Sequence, residues 1–144
     1  MGPPVTIRGM KEDDLRSVFL LGRELFDANR NDPWDEASLA DLLGDCMEHS
    51  LVAFLGKRMA GFIIIELGPG NSARIRWMAW RPGDEDAVAS PLIEALLKLL
   101  SSRNLASLRV AVDSNNRQLI DITKKFGFTE SKHLLIMENF FPSD

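Results

Sequence analysis

A chain of 144 residues that is 45% hydrophobic and 26% charged is enough for one globular domain, residues 1–144, and leaves no room for a second core. Its formal charge of −4 argues against a nucleic-acid or anionic-membrane surface, and a single cysteine with two histidines argues against an internal disulfide or a Cys/His metal centre. The expected setting is the reducing cytoplasm, with no membrane span, because the longest apolar run, residues 61–67, is interrupted by Glu66 and too short for a bilayer.

Residues 5–8 read as a strand, and residues 11–29 as an amphipathic helix through Leu15, Val18, Phe19, Leu25 and Phe26. Gly22 lies on the same stripe, where glycine costs about 1 kcal/mol against alanine unless a neighbouring element packs close to it. After a break at residues 31–33, helical spacing resumes over 35–49 through Leu39, Leu42, Leu43, Cys46 and Met47, which makes Cys46 a packed thiol. Two apolar runs, 51–55 and 59–67, flank a short turn containing Gly56 and predict a hairpin. Residues 73–80 form its third strand, with Ile75, Trp77 and Ala79 on one face and Met78 and Trp80 on the other. Ser90 and Pro91 are suited to start a helix through Leu92, Leu96, Leu97 and Leu100. A strand over 105–112, a helix over 115–126 stopped by Gly127, and a strand over 134–140 complete the chain. The fold class is α+β (mixed α/β): a mostly antiparallel sheet of six to seven strands with one parallel crossover and helices on both faces.

Two stretches, residues 75–82 with the helix that follows, and residues 116–128 from Asn116 to Gly127-Phe128, resemble the GNAT superfamily of acyl-CoA-dependent N-acetyltransferases. The resemblance covers the whole chain in element order and implies a GNAT-like fold with acetyl-CoA as cosubstrate. It implies that the backbone at Met78, Ala79 and Trp80 meets the pantetheine arm, and that Asn116 contacts the cofactor. The alternative reading of Asn116 is a plain N-cap of its own helix. The pyrophosphate would lie on the loop and helix start, where Ala87, Val88, Ala89 and Ser90 stand in the place of the family's glycine-rich turn.

Three departures accompany it. The loop carries Asp84, Glu85 and Asp86, and a carboxylate ~4 Å from a phosphate oxygen is repelled by about 1 kcal/mol in bulk water and about 4 at an effective dielectric of ~20. Inward-pointing acids would outweigh the ~0.3–1 kcal/mol that a helix dipole offers an anion. The chain has no tyrosine, and Thr123 stands where many relatives protonate the leaving thiolate. Ala111 stands where some relatives carry a glutamate base, leaving Glu66 as the best local base and Asp113 as a weaker one. The competing reading of Glu66 is an outward strand-end acid. Neither histidine is expected to be catalytic.

Two functions follow. One is transfer of an acetyl group from acetyl-CoA to a primary amine of a small molecule or protein N-terminus, by direct attack on the thioester. The other is a GNAT-fold binding or regulatory module that has lost acyl-CoA. A net acidic chain suits a cationic amine, and the apolar segment 134–141 would suit a homodimer edge.

Overall fold

The computed structural model describes residues 4–26, 34–103, 105–112 and 116–129, the side chains of Asp45 and Cys46 apart. The expected packing of Cys46, the strand over 134–140 and the dimer edge fall outside what is described. In chain order come β1 (Val5–Gly9), a 3₁₀ turn (Glu12–Asp14), α1 (Leu15–Leu25), α2 (Glu36–Cys46), β2 (Leu51–Leu55), β3 (Arg58–Leu67) and β4 (Ser72–Trp80). A π-helical turn (Glu85–Ala89) then runs directly into α3 (Ser90–Ser102), and β5 (Ser107–Val110) and α4 (Arg117–Lys125) close the described chain.

The sheet has the order β1-β2-β3-β4-β5. The first three pairings are antiparallel and β4 with β5 is parallel, so the mixed α+β expectation holds, with five strands among the described residues. One face packs against α1 and α2 through Val18, Leu21, Leu39, Leu43, Phe62 and Ile64, and the other against α3 through Ile63, Ile65, Leu92, Ile93 and Leu96. Two covered faces explain why β3 reads as an apolar run and not as an alternation.

The faces of β4 differ from the expected alternation. Trp77 is paired with Ile64 while Ile75 is paired with Ile65, which leaves Arg76 as an extra residue in the strand. A bulge of one residue reverses the side-chain phase beyond it. Ile75 therefore joins Met78 and Trp80 on the α3 face, while Trp77 and Ala79 face α1 and α2.

The start of α3 also differs. Ser90 is not its N-cap, because the helix begins one turn earlier, with Asp84 as N-cap of the π turn and no side-chain cap bond there. Pro91 has no N–H to donate, and its ring crowds the carbonyl four residues back. The ladder widens just ahead of it, so the Ser90 N–H reaches the Glu85 carbonyl five residues away.

Gly22 is explained by a close neighbour, as its place on the α1 stripe requires. A Cβ there would lie 2.3 Å from ring atoms of Trp34. That indole donates to the Phe19 carbonyl at 2.8 Å and stacks on Phe62 with ring centroids 5.6 Å apart. Phe26 and Trp77 complete the cluster edge-on to it, at 4.9 Å each.

Asp14, buried at the end of the 3₁₀ turn, ties β1 to α1. It accepts two bonds from Arg8, at 2.7 and 2.8 Å, and the Lys11 N–H at 2.8 Å. The Arg8 hydrogen bonds hold its carboxyl below the usual range, more than burial raises it. A carboxyl depressed in the native state stabilises fully above its unfolded value, and that contribution disappears as pH falls through the native value. Asp14→Asn is expected to lower stability at neutral pH by about 1–3 kcal/mol. In urea titrations the gap between variant and wild type should narrow below the ordinary carboxylate range, and a gap independent of pH would contradict this assignment.

Candidate functional site

The parallel ladder between β4 and β5 ends at Ile75 and Val110, while β4 runs on to Trp80. Between the parted strands lies a cleft of about 810 Å³, within the usual size range of small-molecule sites. β4 forms its floor from Ile75 to Trp80, and Leu25 and Phe26 close it from the α1 side. Val110, Ala111, Asn116, Gln118 and Leu119 form the opposite wall, and Pro82 stands at the edge.

Of the residues singled out from sequence, Met78, Ala79, Trp80 and Asn116 meet at this cleft. Ala79 is buried on the aromatic face, and Met78 and Trp80 are half-buried on the α3 face. Asn116 is the N-cap of α4, its side-chain oxygen accepting the Leu119 N–H at 3.1 Å. Capping and cleft lining coexist in this one residue.

Glu66 and Thr123 are placed elsewhere. Glu66 accepts the Arg74 Nε–H at 2.6 Å across the β3–β4 ladder and is not part of the cleft lining. Thr123 is buried in α4 and its hydroxyl donates to the Ile120 carbonyl at 2.9 Å, again away from the lining. His49 is buried beside β2, and its Nδ1 has no hydrogen-bond partner among the described residues. Among the described lining residues there is no carboxylate and no histidine; Arg76 is the charged one.

The loop residues form the π turn. Val88 and Ala89 are fully buried, the Val88 N–H donates to the Asp84 carbonyl at 2.8 Å, and the Ser90 N–H is used within the turn. Ala87 is exposed. Gly83 adopts φ 90°, a conformation natural to glycine, and its N–H is bonded to the Glu85 carboxylate at 3.1 Å. Asp86 is exposed. Arg81, the cation nearest these acids in the chain, turns away to meet Glu24 of α1 at 3.1 Å.

Among the described residues no group of His, Cys, Asp and Glu is placed to hold a metal ion, and no helix is long and apolar enough to cross a membrane. No family model and no curated protein matches the chain. Solved structures do. Ard1 from Thermoplasma volcanium is 26% identical over 88% of this chain and 84% of its own, with a TM-score of 0.75. An aminoglycoside acetyltransferase from an uncultured soil metagenomic sample is 17% identical over 96% and 97%, with a TM-score of 0.75. Arabidopsis thaliana Naa50, in complex with the bisubstrate analogue CoA-Ac-MVNAL, is 22% identical over 89% and 85%, with a TM-score of 0.72.

The chain has the GNAT fold.

Within this GNAT fold, sequence reasoning missed Gln118, Leu25 and Phe26. Gln118 follows Asn116 by two residues in the first turn of α4, and that proximity was the available signal. Leu25 and Phe26 were assigned only to the helix stripe. They lie where α1 ends, so packing against the core and lining the cleft are not exclusive. As the cap of α4, Asn116 has a cost of removal that needs no ligand. Asn116→Ala should destabilise the free protein by about 1 kcal/mol in chemical denaturation, and an unchanged midpoint would show that the cap bond contributes nothing.

Proposed function

We propose that the protein is an acetyltransferase that moves an acetyl group from an acyl-CoA-type thioester to a primary amine of a small molecule or a protein N-terminus. The observation carrying this reading is the cleft itself: β4 parts from β5 at Ile75 and exposes extended backbone to a space that fits a slender ligand. Its companions are the GNAT fold and neighbours named as acetyltransferases, one of them holding a CoA-peptide analogue.

When bound, acetyl-CoA supplies the acetyl group: the amine nitrogen bonds to the thioester carbonyl carbon, the C–S bond breaks, the thiolate leaves, and the nitrogen gives up one proton. The chain's part is positioning. The backbone of Met78, Ala79 and Trp80 holds the arm as an extra strand would be held, and Phe26 and Trp77 keep that part of the cleft apolar. With no carboxylate or histidine among the described lining, the amine loses its proton to water and not to Glu66, which is engaged by Arg74. Thr123, bonded to Ile120, leaves the thiolate to depart unassisted. A thiol of ordinary pKa ~8.5 permits that. A single cysteine suits a reducing, cytoplasmic setting.

The second reading, a GNAT-fold binding module without acyl-CoA, is favoured by one observation, the Glu85 carboxylate in the loop.

A thermal-shift and calorimetric titration separates the two. Acetyl-CoA or acetyl-pantetheine at 100 times its dissociation constant should stabilise the fold by about 2.7 kcal/mol. Ala111→Trp, at an exposed position on the cleft wall, should abolish that shift while changing the ligand-free stability by less than about 0.5 kcal/mol. If neither thioester moves the midpoint at millimolar concentration, the acetyltransferase reading fails.

A further inference from the structure

The Glu85 carboxylate lies where the loop would otherwise receive an anion. Its Oε1 accepts the Gly83 N–H at 3.1 Å. Its own N–H first, then the Gly83 N–H and the Gln118 side chain, draw that carboxyl below the usual carboxylate range. A glycine of positive φ leading into the first residues of a helix gathers N–H groups to one side, the arrangement by which loops cradle phosphate. Here the Gly83 N–H is already met by a carboxylate of the chain itself. The loop adjoins the cleft, since Pro82 just ahead of it stands at the cleft's edge.

The remaining charges reinforce the effect. Asp84 and Asp86 flank Glu85 in the chain, and Arg81, the one cation in residues 81–90, is committed to Glu24 and to the Met59 carbonyl. A diphosphate approaching this loop meets three acids and a Gly83 N–H already engaged by one of them. The thioester arm, lying deeper along β4, meets none of them, because the described lining contains no carboxylate.

We propose that Glu85 is a specificity-determining residue: an internal anion that fills the N–H cradle of the loop and bars the diphosphate of CoA, so that the cleft favours acyl thioesters of the pantetheine type lacking the nucleotide diphosphate. This rests on the acetyltransferase reading for the arm, but the bond between Gly83 and Glu85 stands without it.

The experiment uses two probes, inorganic pyrophosphate for the cradle and acetyl-pantetheine for the cleft, titrated calorimetrically at fixed ionic strength into wild type, Glu85→Gln and Glu85→Ala. Glu85→Gln keeps a side chain able to reach Gly83 and removes the charge; Glu85→Ala empties the cradle and guards against a folding failure of the first variant. Pyrophosphate affinity should rise at least about tenfold in both variants, while acetyl-pantetheine affinity stays within about twofold. The ratio of acetyl-CoA to acetyl-pantetheine affinity should rise with the pyrophosphate affinity. Equal pyrophosphate affinity in all three proteins, or binding in none, overturns the proposal, as does a parallel change in affinity for both probes. If pyrophosphate binding appears in the variants while acetyl-pantetheine binds no form, the internal anion is supported and the acetyltransferase reading fails.

Discussion

A single extra residue in β4 organises the functional half of the molecule. The bulge at Arg76 reverses the phase of the strand, so the residues before it and those after it put opposite parities on a given face. Trp77 and Ala79 are thereby sent to the α1 and α2 side, where Trp77 meets Phe26 with centroids 4.8 Å apart. Met78 and Trp80 go to the α3 side. The parallel ladder with β5 ends at Ile75, immediately before the bulge. A strand that bends and twists at this point can no longer keep its neighbour in register, and the parting of the two strands is the cleft. The aromatic cluster anchored by Trp34 over Gly22 then fixes one wall, and the capped start of α4 fixes the other.

The loop beyond β4 has the backbone of an anion cradle and the side chains of its opposite. Gly83 and the π turn bring N–H groups together, and the sequence supplies its own carboxylate to meet them. A tethered group acts at an effective concentration of about millimolar or more, so a free anion must match that before it contends with repulsion from Asp84 and Asp86. The composition alone poses this as a conflict between a phosphate-binding position and acidic residues. The bonds bear on it: Glu85 meets the Gly83 N–H, Asp86 is exposed, and Arg81 is engaged by Glu24. On the proposed function, the cleft takes the thioester and the loop at its mouth already carries an anion of its own.

The hairpin over residues 51–67 was legible because paired apolar runs around Gly56 admit few other structures, and the helices because their stripes repeat at three and four. Gly22 announced a close neighbour without naming it; the neighbour, Trp34, comes from beyond the end of α1, and no local pattern links the two. The faces of β4 were misassigned at Ile75 because a bulge leaves no mark in an alternation this short. Ser90-Pro91 suggested a helix start because proline is as acceptable at a first turn as it is just after a widened ladder. Met78, Ala79, Trp80 and Asn116, which the family resemblance singled out, line the cleft, and the N-cap role of Asn116 was legible because capping is a local property. Glu66 and Thr123 carried suitable chemistry at plausible positions, but strand register gave Glu66 to Arg74, and the helix took the Thr123 hydroxyl for its own carbonyl.

The central claim is that the cleft between β4 and β5 receives the thioester arm along the backbone of β4. It is tested most directly by following the backbone amides of isotope-labelled protein by NMR as acetyl-pantetheine is added. The account predicts shifts concentrated at Met78, Ala79 and Trp80 and at Ala111 and Gln118 on the facing wall. Shifts confined to other surfaces, such as α2 or β1, or no shifts at millimolar thioester, would contradict it.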